Sequence, residues 1–179
     1  LDIGETLIVK PVTGGSSINT HVASDEDSLR SILSDLSQKY EQLLIEECII
    51  GREATVGVLD GFRGEETYVL PVVEIVPPSS EQVWSHESKY NGTTKEIVPG
   101  GFSYNEKILL SDAASLVHEI LDCQQYSRSD FIIRDGVPYF LEVNTLPGLT
   151  DESLFPKAAA AVGLEFPELI TYLVETARV

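Results

Sequence analysis

Four polar side chains between residues 128 and 144 have the types and spacing to gather on one face and hold a cation. Side chains alternate along a strand, so in Arg128-Ser129-Asp130-Phe131-Ile132-Ile133 the residues Arg128 and Asp130 share one face, and Phe131 and Ile133 the other. In Tyr139-Phe140-Leu141-Glu142-Val143-Asn144, Glu142 and Asn144 share a face while Tyr139, Leu141 and Val143 point away. The apolar faces stack on a core, which leaves Arg128, Asp130, Glu142 and Asn144 as one polar cluster.

Asp135-Gly136 between the two runs is a hairpin signal, and the register decides whether the cluster closes. A two-residue turn pairs Arg134 with Val137 and sets Asp130 opposite Leu141, splitting the carboxylates between faces. A three-residue loop over Asp135-Gly136-Val137 pairs Arg134 with Pro138 and Asp130 with Glu142, and this second register is the one expected. Opposed carboxylates at about 5 Å repel and need a cation. Hard oxygen ligands from Asp, Glu and Asn suit magnesium. Strand patterning alone is served equally well by a solvated hairpin face carrying surface charges.

The elements around the hairpin follow from periodicity. Leu7-Ile8-Val9 reads as a strand that stops at Lys10-Pro11, since proline cannot donate to a ladder. A small-residue loop, Thr13-Gly14-Gly15-Ser16-Ser17, follows it. Ser24 with Asp27 resembles a cap for a helix over 25–40, whose apolar positions include Leu29, Ile32, Leu33 and Leu36. Strands are expected at 43–45, 54–59 and 67–76. Pro77-Pro78 to Pro99-Gly100-Gly101 reads as a long polar loop holding Trp84, His86, Lys89, Tyr90 and Asn91, and loops of that length are commonly functional. Leu109, Leu110, Ala113, Leu116, Val117, Ile120 and Leu121 recur at helical spacing over 106–123. Two further helices are expected at 153–162 and 167–177, the second opened by Pro167.

A net charge of −17 argues against a nucleic-acid backbone or an anionic membrane surface as partner. No apolar run is long enough to cross a membrane, and no signal peptide opens the sequence. Cys48 and Cys123 have no partner pattern for zinc or redox chemistry, so buried free thiols in a reducing cytoplasm are expected. There is no internal repeat and no low-complexity linker to mark a domain boundary. The sequence has no methionine and begins Leu-Asp-Ile, which suggests a fragment.

After the hairpin the chain leaves through a Pro-Gly turn, where Gly148 lets a backbone N–H approach a ligand closely. The run Phe140-Leu141-Glu142-Val143-Asn144-Thr145-Leu146-Pro147-Gly148-Leu149-Thr150 closely resembles the metal-binding signature of D-alanine:D-alanine ligases. Tyr126-Ser127-Arg128-Ser129-Asp130-Phe131 resembles the strand that precedes it in that family. The likeness covers nearly the whole chain, with separate motifs in the family order. It implies an α+β, ATP-grasp fold: a mostly antiparallel sheet with flanking helices. Residues of about 1–50 would be the remainder of the central ATP-binding subdomain and 51–179 the C-terminal subdomain, the N-terminal domain being absent.

The resemblance also implies roles. Lys10 would hold the α and β phosphates of ATP, and Gly14-Gly15-Ser16-Ser17 would be a mobile loop over them, with Ser16 also near substrate. Glu46 and the backbone near Ile49 would meet adenine, and Glu53 the ribose hydroxyls; Cys48 stands where an aromatic residue is common. In Ser88-Lys89-Tyr90-Asn91, Lys89 would reach the transferred phosphoryl group and Tyr90 would help to close over substrate. Trp84-Ser85-His86 replaces the more typical Tyr-Asp-Tyr stretch ahead of it. A tyrosine after that lysine favours D-alanine over D-lactate as second substrate.

Asp130, Glu142 and Asn144 would bind magnesium, or manganese in its place. Arg128 and the Gly148 N–H would form an oxyanion site, and Ser153 with the N–H of Leu154 would take the carboxylate of the second substrate at a helix start. The implied reaction is phosphorylation of one D-alanine by ATP and attack by the amine of a second, for peptidoglycan precursors in the cytoplasm. The missing N-terminal domain would be a partner, and a homodimer is compatible with the family. No side chain need act as nucleophile, and no convincing Ser-His-Asp or Cys-His arrangement is expected. Two other readings stand beside this one: an ATP-grasp ligase of another amino or hydroxy acid, and a nucleotide-binding module without activity. The isolated 179 residues are expected to turn over poorly or not at all.

Overall fold

The computed structural model describes residues 6–15, 17–78 and 94–177. The chain forms two compact units, one of Leu1–Ile50 with Pro77–Thr94 and one of Gly51–Val76 with Lys95–Val179.

In the first unit β1 (Leu7–Pro11) lies between β2 (His21–Ala23) and β3 (Leu43–Glu47) in an antiparallel sheet. Helix α1 (Glu26–Leu36) lays Leu29, Ile32, Leu33 and Leu36 against Val9 and Ala23. The cap is Asp25 rather than Ser24. Its carboxylate accepts the Ser28 N–H at 2.7 Å, and Ser28 Oγ accepts the Asp25 N–H at 3.1 Å. These bonds hold the Asp25 carboxyl below its ordinary range, the Ser28 backbone bond contributing most. The helix also stops at Leu36, four residues short of the expected end.

The second unit is built on β4 (Arg52–Asp60), which pairs β5 (Thr67–Val69) at its end and is central in a sheet whose strands run, in order, β7 (Lys95–Ile97), β6 (Val73–Val76), β4, β8 (Tyr126–Arg134) and β9 (Val137–Asn144). The single strand expected over 67–76 is two, β5 (Thr67–Val69) and β6 (Val73–Val76). Pro71, which has no N–H, falls in the break between them. The stretch expected to be loop up to Gly101 contains β7 (Lys95–Ile97), paired with β6. All described pairs are antiparallel.

Helix α2 (Tyr104–Ile120) starts two residues before expectation because Ser103 caps it, reciprocally with Glu106. It covers one face of the sheet, where Ala54, Val56, Val58, Phe131 and Ile133 meet Phe102, Leu110 and Ala114. On the opposite face Gly57 admits the ring of Phe155; a Cβ there would lie 2.9 Å from it. Phe155 belongs to α3 (Leu154–Ala160), and α4 (Phe166–Glu175) follows with Leu169 and Leu173 buried. Pro167 is its second residue, not its first. The hairpin strands β8 (Tyr126–Arg134) and β9 (Val137–Asn144) form the other end of the sheet.

Candidate functional site

The β8–β9 hairpin reaches its polar pairing by a different route from the expected one. Asp135 (φ 54°) and Gly136 (φ 77°) are both left-handed, which makes a two-residue turn, and Arg134 pairs with Val137. That phase continues to Phe131 opposite Phe140. Leu141 then has no counterpart, and beyond it Asp130 faces Glu142 and Arg128 faces Asn144. The three-residue loop is therefore corrected to a two-residue turn with a β-bulge at Leu141, which shifts the ladder by one residue. The bulge also overturns strict alternation along β9. Tyr139 pairs with Ile132 and so shares the face of Glu142, its hydroxyl accepting a hydrogen bond from Arg134 at 3.1 Å. Phe140 stands instead beside Phe131, ring centroids 5.8 Å apart.

Asp130 is the most enclosed member of the cluster, 9% exposed. Arg128 grips it bidentately, Nε to Oδ1 and Nη2 to Oδ2 at 2.9 Å each. Thr55 Oγ1 donates to Oδ1 at 2.5 Å, and Asn144 Nδ2 approaches Oδ2 at 3.3 Å. A carboxylate this far from water needs such compensation, and the guanidinium fork provides it. Glu142 is exposed and has no hydrogen bond or ion pair among the described residues. Two carboxylates and an amide oxygen are a hard donor set of the kind magnesium takes, so these residues fit that ion by type. Arg128 and the ion would then compete for the oxygens of Asp130.

Downstream, the Ser153 hydroxyl accepts the Thr150 N–H at 3.1 Å and lies 2.9 Å from the Thr150 hydroxyl. It makes no cap bond to its own helix, although it occupies the N-cap position of α3. Gly148 packs on it so closely that a Cβ would stand 2.9 Å from Ser153 Oγ. Leu154 opens the helix with its side chain buried. One turn on, Lys157 Nζ pairs with Glu96 and Glu152, each at 2.9 Å. Burial alone would lower its pKa; the hydrogen bonds to Glu96 and Glu152 outweigh that and hold the ammonium above its ordinary range.

In the first unit Lys10 and Glu46, on neighbouring strands, are joined by an ion pair of 2.5 Å. Ile49 is half-buried just beyond β3. Cys48 is buried, and burial pushes its thiol pKa up; Cys123, expected to be buried as well, is only half-buried. Glu53 sits half-buried on β4 opposite Ile75 and Ile132 in the second unit. Ser16, Lys89 and Tyr90 lie outside the described residues, as do Trp84 and His86.

Sequence reasoning passed over three polar groupings. Thr55 looks like any β-branched strand residue. Arg52 donates to Glu74 at 2.7 and 3.1 Å and stacks 4.1 Å over the Phe102 ring, while Glu74 accepts the Gly101 N–H at 2.8 Å. Third, Ser127 Oγ lies 2.7 Å from His118 Nδ1, and His118 Nε2 lies 3.0 Å from Asp60 Oδ1, with Asp60 far from the other two in sequence. Ser127 is wholly buried, so no substrate reaches it, and the chain of bonds ties α2 to β4 and β8.

The profile of the family "D-ala D-ala ligase C-terminus" matches residues 3–175. The D-alanine--D-alanine ligase of Halalkalibacterium halodurans is 44% identical over 167 residues, 92% of this chain and 53% of the relative. That of Leptospira biflexa is 36% identical over 178 residues, 98% of this chain and 50% of the relative. The crystal structure of D-alanine--D-alanine ligase from Bacillus anthracis complexed with ATP matches at a TM-score of 0.80 and 31% identity, covering 98% of this chain and 53% of that one. The chain thus spans about half the length of the relatives it matches. With profile, sequence and structure agreeing along both units, the chain belongs to the D-ala D-ala ligase C-terminus family and has its ATP-grasp fold.

Proposed function

We propose that the protein carrying this chain is an ATP-dependent, cytoplasmic ligase that joins two D-alanines through a D-alanyl phosphate to make a peptidoglycan precursor. The observation that carries this reading is the pairing of Asp130 with Glu142 and of Arg128 with Asn144 at one end of the hairpin, which joins the two stretches most like the family's motifs, 126–131 and 140–150. Among the described residues no helix is long and apolar enough to cross a membrane.

Asp130, Glu142 and Asn144 would hold magnesium or manganese, and such an ion would supply positive charge to offset that of the ATP phosphates. Lys10 exchanges Glu46 for the α and β phosphates, and Glu46 with the backbone near Ile49 turns to adenine. Glu53 takes the ribose hydroxyls, and Lys89 the phosphoryl group in transfer. Tyr90 helps to close over substrate, and Ser16 serves the phosphates and the substrate beside them. The first D-alanine carboxylate takes the γ-phosphoryl group, and ADP leaves. The amine of the second D-alanine then attacks the acyl carbon and phosphate departs, so ATP supplies all the activation.

Arg128 and the Gly148 N–H stabilise the oxyanion that forms in that attack, an effect commonly worth about 3 kcal/mol per donor. Ser153 and the Leu154 N–H hold the carboxylate of the second D-alanine, with the Thr150 bonds keeping the Ser153 hydroxyl in place. Residues of about 1–50 are the remainder of the central ATP-binding subdomain and 51–179 the C-terminal subdomain. A further domain of the same enzyme completes the site for the first D-alanine, and the 179 residues alone turn over poorly or not at all.

The test is Glu142→Gln in the full-length enzyme, followed by phosphate release from ATP with D-alanine. Activity is expected to fall at least a hundredfold, and a variant that keeps most of it would remove Glu142 from the metal set. D-alanyl-D-alanine formation by the 179-residue chain alone would overturn the assignment of a further required domain.

A further inference from the structure

Thr55 is 1% exposed on the central strand and stands directly opposite Asp130 in the β4–β8 ladder. Its hydroxyl lies 2.5 Å from Asp130 Oδ1 and 3.2 Å from the Ser129 carbonyl oxygen. Valine would fill the same volume in this strand without a hydroxyl to desolvate, so packing does not explain the threonine. The contact with Asp130 does. Oδ1 is shared by two donors of unlike stiffness: Thr55, whose branched Cβ restricts its rotamer, and Arg128 Nε at 2.9 Å, at the end of a long side chain. Oδ2 has Arg128 Nη2 at 2.9 Å and Asn144 Nδ2 at 3.3 Å. A carboxylate held by the guanidinium alone would follow it when it swings toward substrate.

We propose that Thr55 is a positioning residue for Asp130, pinning Oδ1 to the central strand so that Oδ2 stays turned to Asn144 when Arg128 leaves to meet the reacting group. The inference rests on the reading of Asp130, Glu142 and Asn144 as a metal set, and it adds to that set a residue that never touches the ion. Groups that orient a metal ligand in this way commonly change affinity by about 10–100-fold when lost.

The experiment measures Mn²⁺ binding to the full-length protein with ADP present, by the electron paramagnetic resonance signal of free and bound Mn²⁺, alongside thermal unfolding without metal. Thr55→Val is expected to weaken Mn²⁺ binding at least about tenfold, and Thr55→Ser, which keeps the hydroxyl, to stay within about threefold of wild type. Should the valine variant fail to fold, Thr55→Ala takes its place under the same limits. Wild-type affinity in the variant lacking the hydroxyl overturns the inference, even if its unfolding temperature drops. So does a serine variant as weak as valine. A wild-type protein that binds no Mn²⁺ with ADP overturns the metal set itself, an outcome separate from the other two.

Discussion

Gly148 and Ser153 are in such close contact that no side chain fits between them: a Cβ on Gly148 would lie 2.9 Å from the Ser153 hydroxyl. The hydroxyl cannot yield freely, because it already accepts the Thr150 N–H and meets the Thr150 hydroxyl. Gly148→Ala must therefore break one of those contacts or push the 145–150 turn outward. With Ser153 holding the second substrate, the expected result in the full-length enzyme is a rise of about tenfold or more in KM for the second D-alanine, the scale of a lost hydrogen bond to a charged group. KM for ATP should stay within about twofold. Steady-state kinetics with each substrate varied in turn decide it; equal changes in both would mean a general distortion instead.

Deleting Leu141 offers a sharper check on the hairpin. The extra residue shifts the ladder between Phe131–Phe140 and Asp130–Glu142. Without it Glu142 follows Phe140 directly, so a regular ladder from the same turn still sets Asp130 opposite Glu142. The deletion variant is expected to fold and to keep Mn²⁺ binding within about tenfold, consistent with a bulge that bends a strand without itself supplying ligands. Complete loss of binding in a folded variant would show that the bend, and not only the pairing, is required.

His118 joins Ser127 and Asp60 in the interior, and Asp60 also accepts the Gln125 N–H at 2.8 Å. Replacing His118 by leucine leaves the Ser127 hydroxyl without its ring partner and removes one of the bonds to Asp60. Leaving a buried polar group unsatisfied costs about 1–3 kcal/mol. Urea unfolding should show a loss of that order at unchanged slope. No measurable loss would mean that the chain of bonds holds nothing together.

How much of this was legible beforehand depended on how local the cause is. The apolar stripe of Leu29, Ile32, Leu33 and Leu36 defines α1 because helical period is written within one segment. Periodicity over 106–123 also located α2, but not its buried face: the helix ends at Ile120 and buries Leu110, Ala114 and His118, while Leu109, Leu116, Ile120 and Leu121 are exposed. Side-chain alternation likewise grouped Arg128 with Asp130 and Glu142 with Asn144. The bulge was not legible, since any of several β9 residues could take the extra place and packing of Phe140 on Phe131 selects one. Nor was Thr55: its partner is 75 residues away in sequence. The break at Pro71 was written in the sequence and missed, because the apolar residues on either side of the proline read as one run. Capping moved from Ser24 to Asp25 since Ser28, not Asp27, falls at the third helical position.

The extra residue in β9 has a second consequence. Among the described residues β9 pairs on one side only, with β8, and it exposes Val137, Phe140 and Leu141 along its length. An apolar edge of that kind invites another extended chain to add on, which is how edge-to-edge aggregation starts. A strand laid along β9 would meet regular backbone spacing only from Val137 to Phe140 or from Glu142 to Asn144, with the phase broken between. The irregularity at Leu141 thus limits how far a stray strand can zip onto this edge.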